Sequence, residues 1–174
     1  PRKPWRVSWV DRRIYFSTFH LNRDAAMTYV DVLEQRRPDF IMGYPSSLEI
    51  LSSFCADEGR TLDWTPKAVW FSREPMLDPQ RAIVSRVFGA PIRGLYGCAE
   101  RLISASQCDS EGYHLSLVDG FAEGQFGILP ASDPALLTSL MNRVMPFVRY
   151  RLGDVLTFKP STTCPCGRTL PLIE

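Results

Sequence analysis

The sequence predicts an α/β fold, with a mainly parallel sheet under covering helices followed by a smaller antiparallel β layer. Three observations predict it. Short apolar runs alternate with amphipathic helical stretches through the first half of the chain, a βαβ rhythm that implies parallel strands buried by helices. From about residue 113 the apolar runs continue without helices between them. At 174 residues the chain is also long enough to bury roughly 70% of the surface its unfolded form would expose, so a packed core is within reach.

The elements follow in order. Residues 14–19 form a β-branched and aromatic run, a predicted strand. Asn22 suits an N-cap, because its side-chain oxygen can accept from an early helical N–H, and Ala26, Tyr29, Val30 and Leu33 recur at helical spacing. Arg36 and Arg37 suit the negative end of that helix, and Pro38 stops it. Phe40, Ile41 and Met42 read as a buried strand, with Gly43 and Tyr44 as its turn. Pro45 fits a first helical turn, where its missing N–H is not needed, and Leu48, Leu51, Phe54 and Cys55 line one face up to a stop at Gly59. Residues 68–71 form the next strand, from whose carboxyl end Ser72, Arg73, Glu74 and Pro75 emerge. Asp78 and Pro79 open a helix with Ile83, Val84, Val87 and Phe88 inward and Gly89 at its end.

Residues 91–95 are a strand that delivers Tyr96 and Gly97. Further strands are expected at 114–118, 125–129, 136–140, 147–150 and 155–158. The change of rhythm divides the chain into an α/β subdomain at 1–112 and a β-rich subdomain at 113–174.

Hydrophobic content of 45% and charged content of 22% are ordinary for a soluble globular protein and do not suggest disorder. A net charge of +1 gives no electrostatic case for nucleic acid or an acidic membrane. The cluster Arg2, Lys3, Arg6, Arg12 and Arg13 reads as a solvated face rather than a phosphate-binding patch. No run approaches the roughly 20 apolar residues of a membrane span, and the first residues are charged where a signal peptide is apolar, so cytoplasm is the expected location. The five cysteines cannot all pair within one chain, which favours reduced thiols or metal ligation.

Two stretches carry chemistry. In Tyr96-Gly97-Cys98-Ala99-Glu100, at the carboxyl end of a strand where open α/β sheets bind ligands, the aromatic offers a flat face for a base. Gly97 permits close approach there, and Glu100 offers hard oxygens to a divalent cation. In Arg149-Tyr150-Arg151-Leu152-Gly153-Asp154, the Asp154 carboxylate can accept from two ribose hydroxyls. The plain alternatives are a solvated strand-end glutamate and a turn aspartate. No Gly-x-Gly-x-x-Gly follows an early strand, which argues against a dinucleotide oxidoreductase. No histidine is arranged with a serine, cysteine or lysine to suggest a hydrolase.

These motifs, in this order, resemble the adenylate-forming ligases, in particular the branch of phenylacetate-coenzyme A ligase and the CapK-type proteins. Gly43-Tyr44-Pro45-Ser46-Ser47-Leu48 is similar to that branch's Gly-Tyr-Pro-Ser segment, and Ser72-Arg73-Glu74-Pro75-Met76 to its segment ending in Glu-Pro. Tyr96 to Glu100 is similar to its aromatic-Gly-x-Thr/Ser-Glu motif. Met145-Pro146-Phe147-Val148-Arg149-Tyr150-Arg151-Leu152-Gly153-Asp154 is similar to its Met-Pro-x-x-Arg-Tyr-x-x-Gly-Asp motif.

The resemblance implies activation of a small-molecule carboxylic acid with ATP to an acyl-adenylate, followed in many members by transfer to coenzyme A. It implies that Tyr96 packs on adenine, that Gly97 borders the nucleotide, and that Asp154 binds ribose. Glu100, the catalytic candidate, would help hold magnesium, and Glu74 would lie beside the nucleotide or acyl pocket. Magnesium and positive charge would offset the repulsion between carboxylate and α-phosphate.

Two departures stand out. Ala99 replaces the family's Thr or Ser, removing a hydroxyl, and no Gly/Ser/Thr-rich phosphate loop occurs. Such a loop is expected upstream of Pro1, and a lysine-bearing lid domain after Glu174. The chain is thus expected to be the central part of a longer ligase and inactive alone, and its truncated edges would favour a homo-oligomer. The alternative is a noncatalytic binding or assembly module with the same fold, stabilised by zinc.

Cys108 and His114 flank a polar turn, and Cys164 and Cys166 flank Pro165. Three thiolates and an imidazole suffice for tetrahedral zinc, although the spacing is not that of a standard finger, and buried or surface thiols are the competing account. The resemblance extends to cysteine and histidine at matching places in some phenylacetate-type ligases. With four protein ligands the metal would be structural. Cys55 is expected in the core and Cys98 beneath a turn.

Overall fold

The computed structural model describes residues 3–123, 135–159 and 164–174. The chain forms two compact units, Pro1–Ile92 and Arg93–Glu174. The 112/113 boundary drawn from the strand rhythm falls in the turn just before the strand that begins at Tyr113.

The first unit opens with β1 (Trp5–Ser8) and β2 (Arg13–Phe16), an antiparallel hairpin in which Trp5 faces Phe16. Helix α1 (Arg23–Arg36) starts at Asn22, whose Oδ1 accepts from the Ala25 N–H at 2.9 Å, the cap its residue type suggested. The helix ends at Arg37 in the left-handed conformation, with Pro38 beyond. Strand β3 (Phe40–Gly43) lies parallel to β4 (Ala68–Ser72), and α2 (Pro45–Asp57) connects them. Helix α3 (Asp78–Phe88) ends at Gly89, whose φ of +61° suits glycine, and leads to β5 (Ile92–Gly97). Just before β5, the Pro91 carbonyl accepts from the Val69 N–H of β4 at 2.9 Å.

The inward stripes meet in one core, where Tyr29 and Val30 of α1, Leu48 of α2 and Val84 and Phe88 of α3 pack on Ile41, Val69 and Phe71. Cys55 lies in that core, as expected. β3 differs from the fully buried strand the apolar run suggested. Ile41 is 9% exposed, but Phe40 and Met42 are 56% and 60% exposed. Period-2 alternation sends them to the face opposite the helices.

In the second unit the strands are antiparallel. β5 pairs with β6 (Ser104–Gln107), β6 with β7 (Tyr113–Leu115), β7 with β12 (Leu172–Ile173) and β12 with β11 (Phe158–Lys159). A second sheet orders β10 (Tyr150–Arg151), β9 (Leu136–Ser139) and β8 (Gly120–Ala122). Leu102, Ile103, Leu115, Leu137 and Ile173 form the core of this unit. The architecture is therefore the expected one, parallel strands under helices and then an antiparallel β layer.

Some expected strands are shorter or elsewhere. The 114–118 run is a strand only to Leu115, and the 155–158 run yields only β11. The 147–150 run contributes only Tyr150, because Arg149 has a left-handed φ of 50° that interrupts extended backbone. The expected strand at 125–129 lies outside the described residues. No helix among the described residues is long and apolar enough to cross a membrane.

Candidate functional site

Tyr96 and Asp154 meet. Tyr96 occupies the carboxyl-terminal part of β5, where the strand leaves it half-buried, and its hydroxyl donates to Asp154 Oδ2 at 2.6 Å. Burial, and then the hydrogen bond to the Asp154 carboxylate, push the Tyr96 phenol well above its ordinary value. Tyr96 is therefore the donor, and a carboxylate with two oxygens keeps acceptor capacity for further hydroxyls. Asp154 itself is exposed. At Gly97 an added Cβ would meet the Ile103 carbonyl oxygen at 3.6 Å and Ser104 Cβ at 3.9 Å, ordinary contacts. Packing does not demand glycine there, and the missing side chain leaves space next to Tyr96.

Glu100 lies in the turn after β5, half-buried. That turn is held by two residues the sequence did not single out. Ser139 Oγ donates to the Arg101 carbonyl at 3.1 Å, and Asn142 Nδ2 donates to the Glu100 carbonyl at 3.5 Å. Asn142 Oδ1 also accepts from the Met145 N–H at 3.1 Å, so one side chain ties the Glu100 turn to the start of the Met-Pro motif. An Asn three residues before Met145-Pro146 is a turn signal that could have been noticed.

Glu74 belongs to the first unit and is exposed. Its carboxylate accepts from the Ser46 N–H and Ser46 Oγ, both at 3.2 Å. Ser46 is in the first turn of α2, which has no side-chain cap from Tyr44. Glu74 therefore places negative charge at a helix N-terminus, where the backbone dipole favours it.

Cys108, His114, Cys164 and Cys166 form one cluster, with a ligating atom of each within 4.8 Å of all the others. Cys108 follows β6 and His114 is in β7, while Cys164 and Cys166 precede β12, the strand that pairs with β7. Sheet pairing thus joins segments distant in sequence. Cys166 Sγ lies 3.1 Å from His114 Nε2, and Cys164 Sγ lies 3.3 Å from Cys166 Sγ and 3.5 Å from Cys108 Sγ. His114 Nδ1 is 3.0 Å from the Leu170 carbonyl, which leaves Nε2 as the nitrogen facing the thiols. Burial pushes the Cys108 thiol up, but hydrogen bonds from Cys164, the Ser110 backbone, Cys166 and His114 outweigh it and lower the thiol to about 7.

An added Cβ at Gly112 would lie 2.8 Å from Leu172 Cδ2 and 3.3 Å from Cys164 Sγ, so the cluster is built against bare backbone. Soft donors in this number, converging on one point and oriented by a carbonyl behind the imidazole, fit a tetrahedral divalent metal such as zinc. All five cysteines are free thiols, and Cys98 Sγ accepts from the Leu102 N–H at 3.4 Å beneath its turn.

Protein CapK of Staphylococcus aureus is 21% identical to the chain over 150 residues, which cover 86% of this chain and 33% of CapK. Among solved structures, 2-hydroxyisobutyryl-CoA ligase in complex with 2-HIB-AMP and CoA in the thioesterification state superposes with a TM-score of 0.69 at 19% identity. The match covers 90% of this chain and 35% of the ligase. The chain shares its fold with a CoA ligase. The same enzyme in an open conformation with 2-HIB-AMP and CoA gives a TM-score of 0.68 at 19% identity, over 86% of this chain and 37% of the ligase. No family model matches the chain. The CapK similarity and the shared ligase fold bear out the resemblance read from the motifs, and the chain spans about a third of the length of CapK.

Proposed function

We propose that the longer protein to which this chain belongs activates a small carboxylic acid with ATP, releasing pyrophosphate, and passes the acyl group to coenzyme A. The observation that carries this reading is the fold shared with a CoA ligase whose structures hold an acyl-adenylate together with CoA. The Tyr96–Asp154 pair supports it, because the two motifs expected to bind one nucleotide are joined by a direct hydrogen bond.

In this reading Tyr96 presents its ring to adenine, Gly97 leaves the space beside it open, and Asp154 accepts from the ribose hydroxyls. Glu100 would hold magnesium, which when bound would offset the repulsion between the attacking carboxylate and the α-phosphate. Asn142 and Ser139 fix the turn that carries Glu100. Glu74 sets the start of α2 and through it the segment that begins at Tyr44. Cys108, His114, Cys164 and Cys166 would hold a structural zinc. With all four positions taken by protein, it would clip the segment after β6 to the segment before β12.

Exchange of labelled pyrophosphate into ATP by the full-length protein, over a panel of aliphatic, hydroxy and aromatic acids, tests the proposal. Exchange with at least one acid, lost in Asp154→Ala, is the expected result. Absence of exchange with every acid, in a folded and metal-replete sample, would overturn it. Ala99, with no hydroxyl before Glu100, favours the second reading, a noncatalytic module that keeps the fold, and that outcome would select it.

A further inference from the structure

We infer that the cavity beside β3 in the first unit receives the apolar body of a medium-chain aliphatic or bicyclic aromatic acid, with Arg73 of its lining meeting the carboxylate. The inference rests on the acid-activation reading and adds to it the substrate class. The cavity has a volume of about 610 Å³ and is walled by β2, α1, β3, the first turns of α2 and the end of β4. That volume falls within the roughly 300–1,000 Å³ of small-molecule sites and exceeds the needs of a two- or three-carbon acid. Phe16, Leu33, Ile41, Leu48 and Leu51 supply apolar wall, which favours a ligand whose own apolar surface leaves water on binding.

Among the described lining residues Arg73 is the basic one, beside the hydroxyls of Ser17, Thr18, Ser47 and Ser72. It is the residue after β4 and adopts φ +73°, a left-handed conformation that is uncommon for a side chain larger than glycine. Such conformations are found at ligand clamps as well as at ordinary turns and helix ends, as at Arg37. Among the described residues its guanidinium lies over the Tyr44 ring at 6.0 Å and forms no ion pair with a carboxylate. The neighbouring carboxylate, Glu74, is held by Ser46 instead. Tyr44 and Arg73 both line the cavity. A planar guanidinium matches a carboxylate with two parallel hydrogen bonds. Apolar wall together with a cation that has no carboxylate partner among the described residues favours an acid over the corresponding alcohol or amide.

Octanoate and octanamide are matched probes, one charged and one neutral, and their binding to the purified chain can be followed by saturation-transfer NMR with titration. Octanoate is expected to bind at least about tenfold more tightly than octanamide. Arg73→Gln should remove that difference, and Ser47→Phe, which projects bulk into the cavity, should abolish binding of both, with melting temperatures showing that each variant is folded. Equal binding of acid and amide, or binding indifferent to both substitutions, would overturn the inference. The two proposals fail separately. Octanoate binding as described, with no pyrophosphate exchange by the full-length protein, would remove the adenylation reading and leave the pocket. Exchange with an acid whose KM is unmoved by Arg73→Gln and Ser47→Phe would remove the pocket and leave the adenylation reading.

Discussion

The Tyr96 hydroxyl donates to Asp154 Oδ2 at 2.6 Å across 58 positions of sequence. The bond keeps the phenol neutral, because burial and the adjacent carboxylate both oppose its ionisation. A folded-state value raised above the unfolded one means that the stabilisation is fully present below about pH 10 and is lost as pH rises through the folded value. Absorbance titration near 295 nm should show Tyr96 ionising later than the exposed tyrosines of the native chain, as does Tyr29, whose burial also raises its phenol. Asp154→Asn should bring that titration earlier, and Tyr96→Phe should delete it at a stability cost of about 1 kcal/mol, the net value of one hydrogen bond. A late titration that survives Asp154→Asn unchanged would show that the carboxylate does not contribute to it.

The zinc site proposed at Cys108, His114, Cys164 and Cys166 leads to a second result, through a residue outside that set. Gly112 leaves 2.8 Å between a notional Cβ and Leu172 Cδ2 and 3.3 Å to Cys164 Sγ, whereas nothing lies within 4 Å of a Cβ at Gly153. Gly112→Ala should therefore push Leu172 and Cys164 apart from their neighbours, costing about 1–3 kcal/mol as overpacking does. Metal content measured by inductively coupled plasma mass spectrometry should be near one zinc per chain in the parent sequence and well below that in Gly112→Ala. Gly153→Ala should retain the metal. Equal metal content and equal melting temperatures in both variants would show that the cluster is not built against Gly112.

At the other end of the chain, Asn22 caps α1 through its bond to the Ala25 N–H. Asn22→Ala should destabilise the chain by about 1 kcal/mol, read as a shift in denaturant midpoint, and Asn22→Asp should recover most of it because aspartate caps equally well. A midpoint unmoved by Asn22→Ala would show that water satisfies the Ala25 donor at no cost.

Asn22, Pro45 and Gly89 were legible because their signals are local, arising within one helical turn of the residue itself. The exposed faces of Phe40 and Met42 were not, since an apolar run reports side-chain character and not what covers each face of the sheet. β6 went unseen because Ser104, Ala105, Ser106 and Gln107 have little β propensity, and they become a strand by pairing with β5 and β7. The four soft donors were found by residue type, but their convergence depends on β12 pairing with β7, a non-local contact. Arg73 was read only as part of a motif, since neither its left-handed backbone nor the adjacent cavity can be seen in sequence.

Asn142 shows what a supporting residue can do. Its amide reaches the Glu100 carbonyl at 3.5 Å and accepts from the Met145 N–H at 3.1 Å, and its own N–H donates to Ser139 Oγ at 3.1 Å. Removing the side chain takes away one of the two side-chain ties of the Glu100 turn, the other being Ser139 to the Arg101 carbonyl, together with the tie to Met145, while no apolar core is lost. If the proposed adenylation holds, Asn142→Ala should reduce pyrophosphate exchange by the full-length protein by up to roughly 100-fold, the scale expected for displacing a positioned group by about 1 Å. It should also raise the magnesium concentration needed for half-maximal exchange, because in the proposed reading Glu100 holds the metal and its turn would have lost one of its ties. Melting temperature should change little. A loss of exchange at unchanged magnesium dependence would assign Asn142 to the integrity of the loop alone and separate it from Glu100.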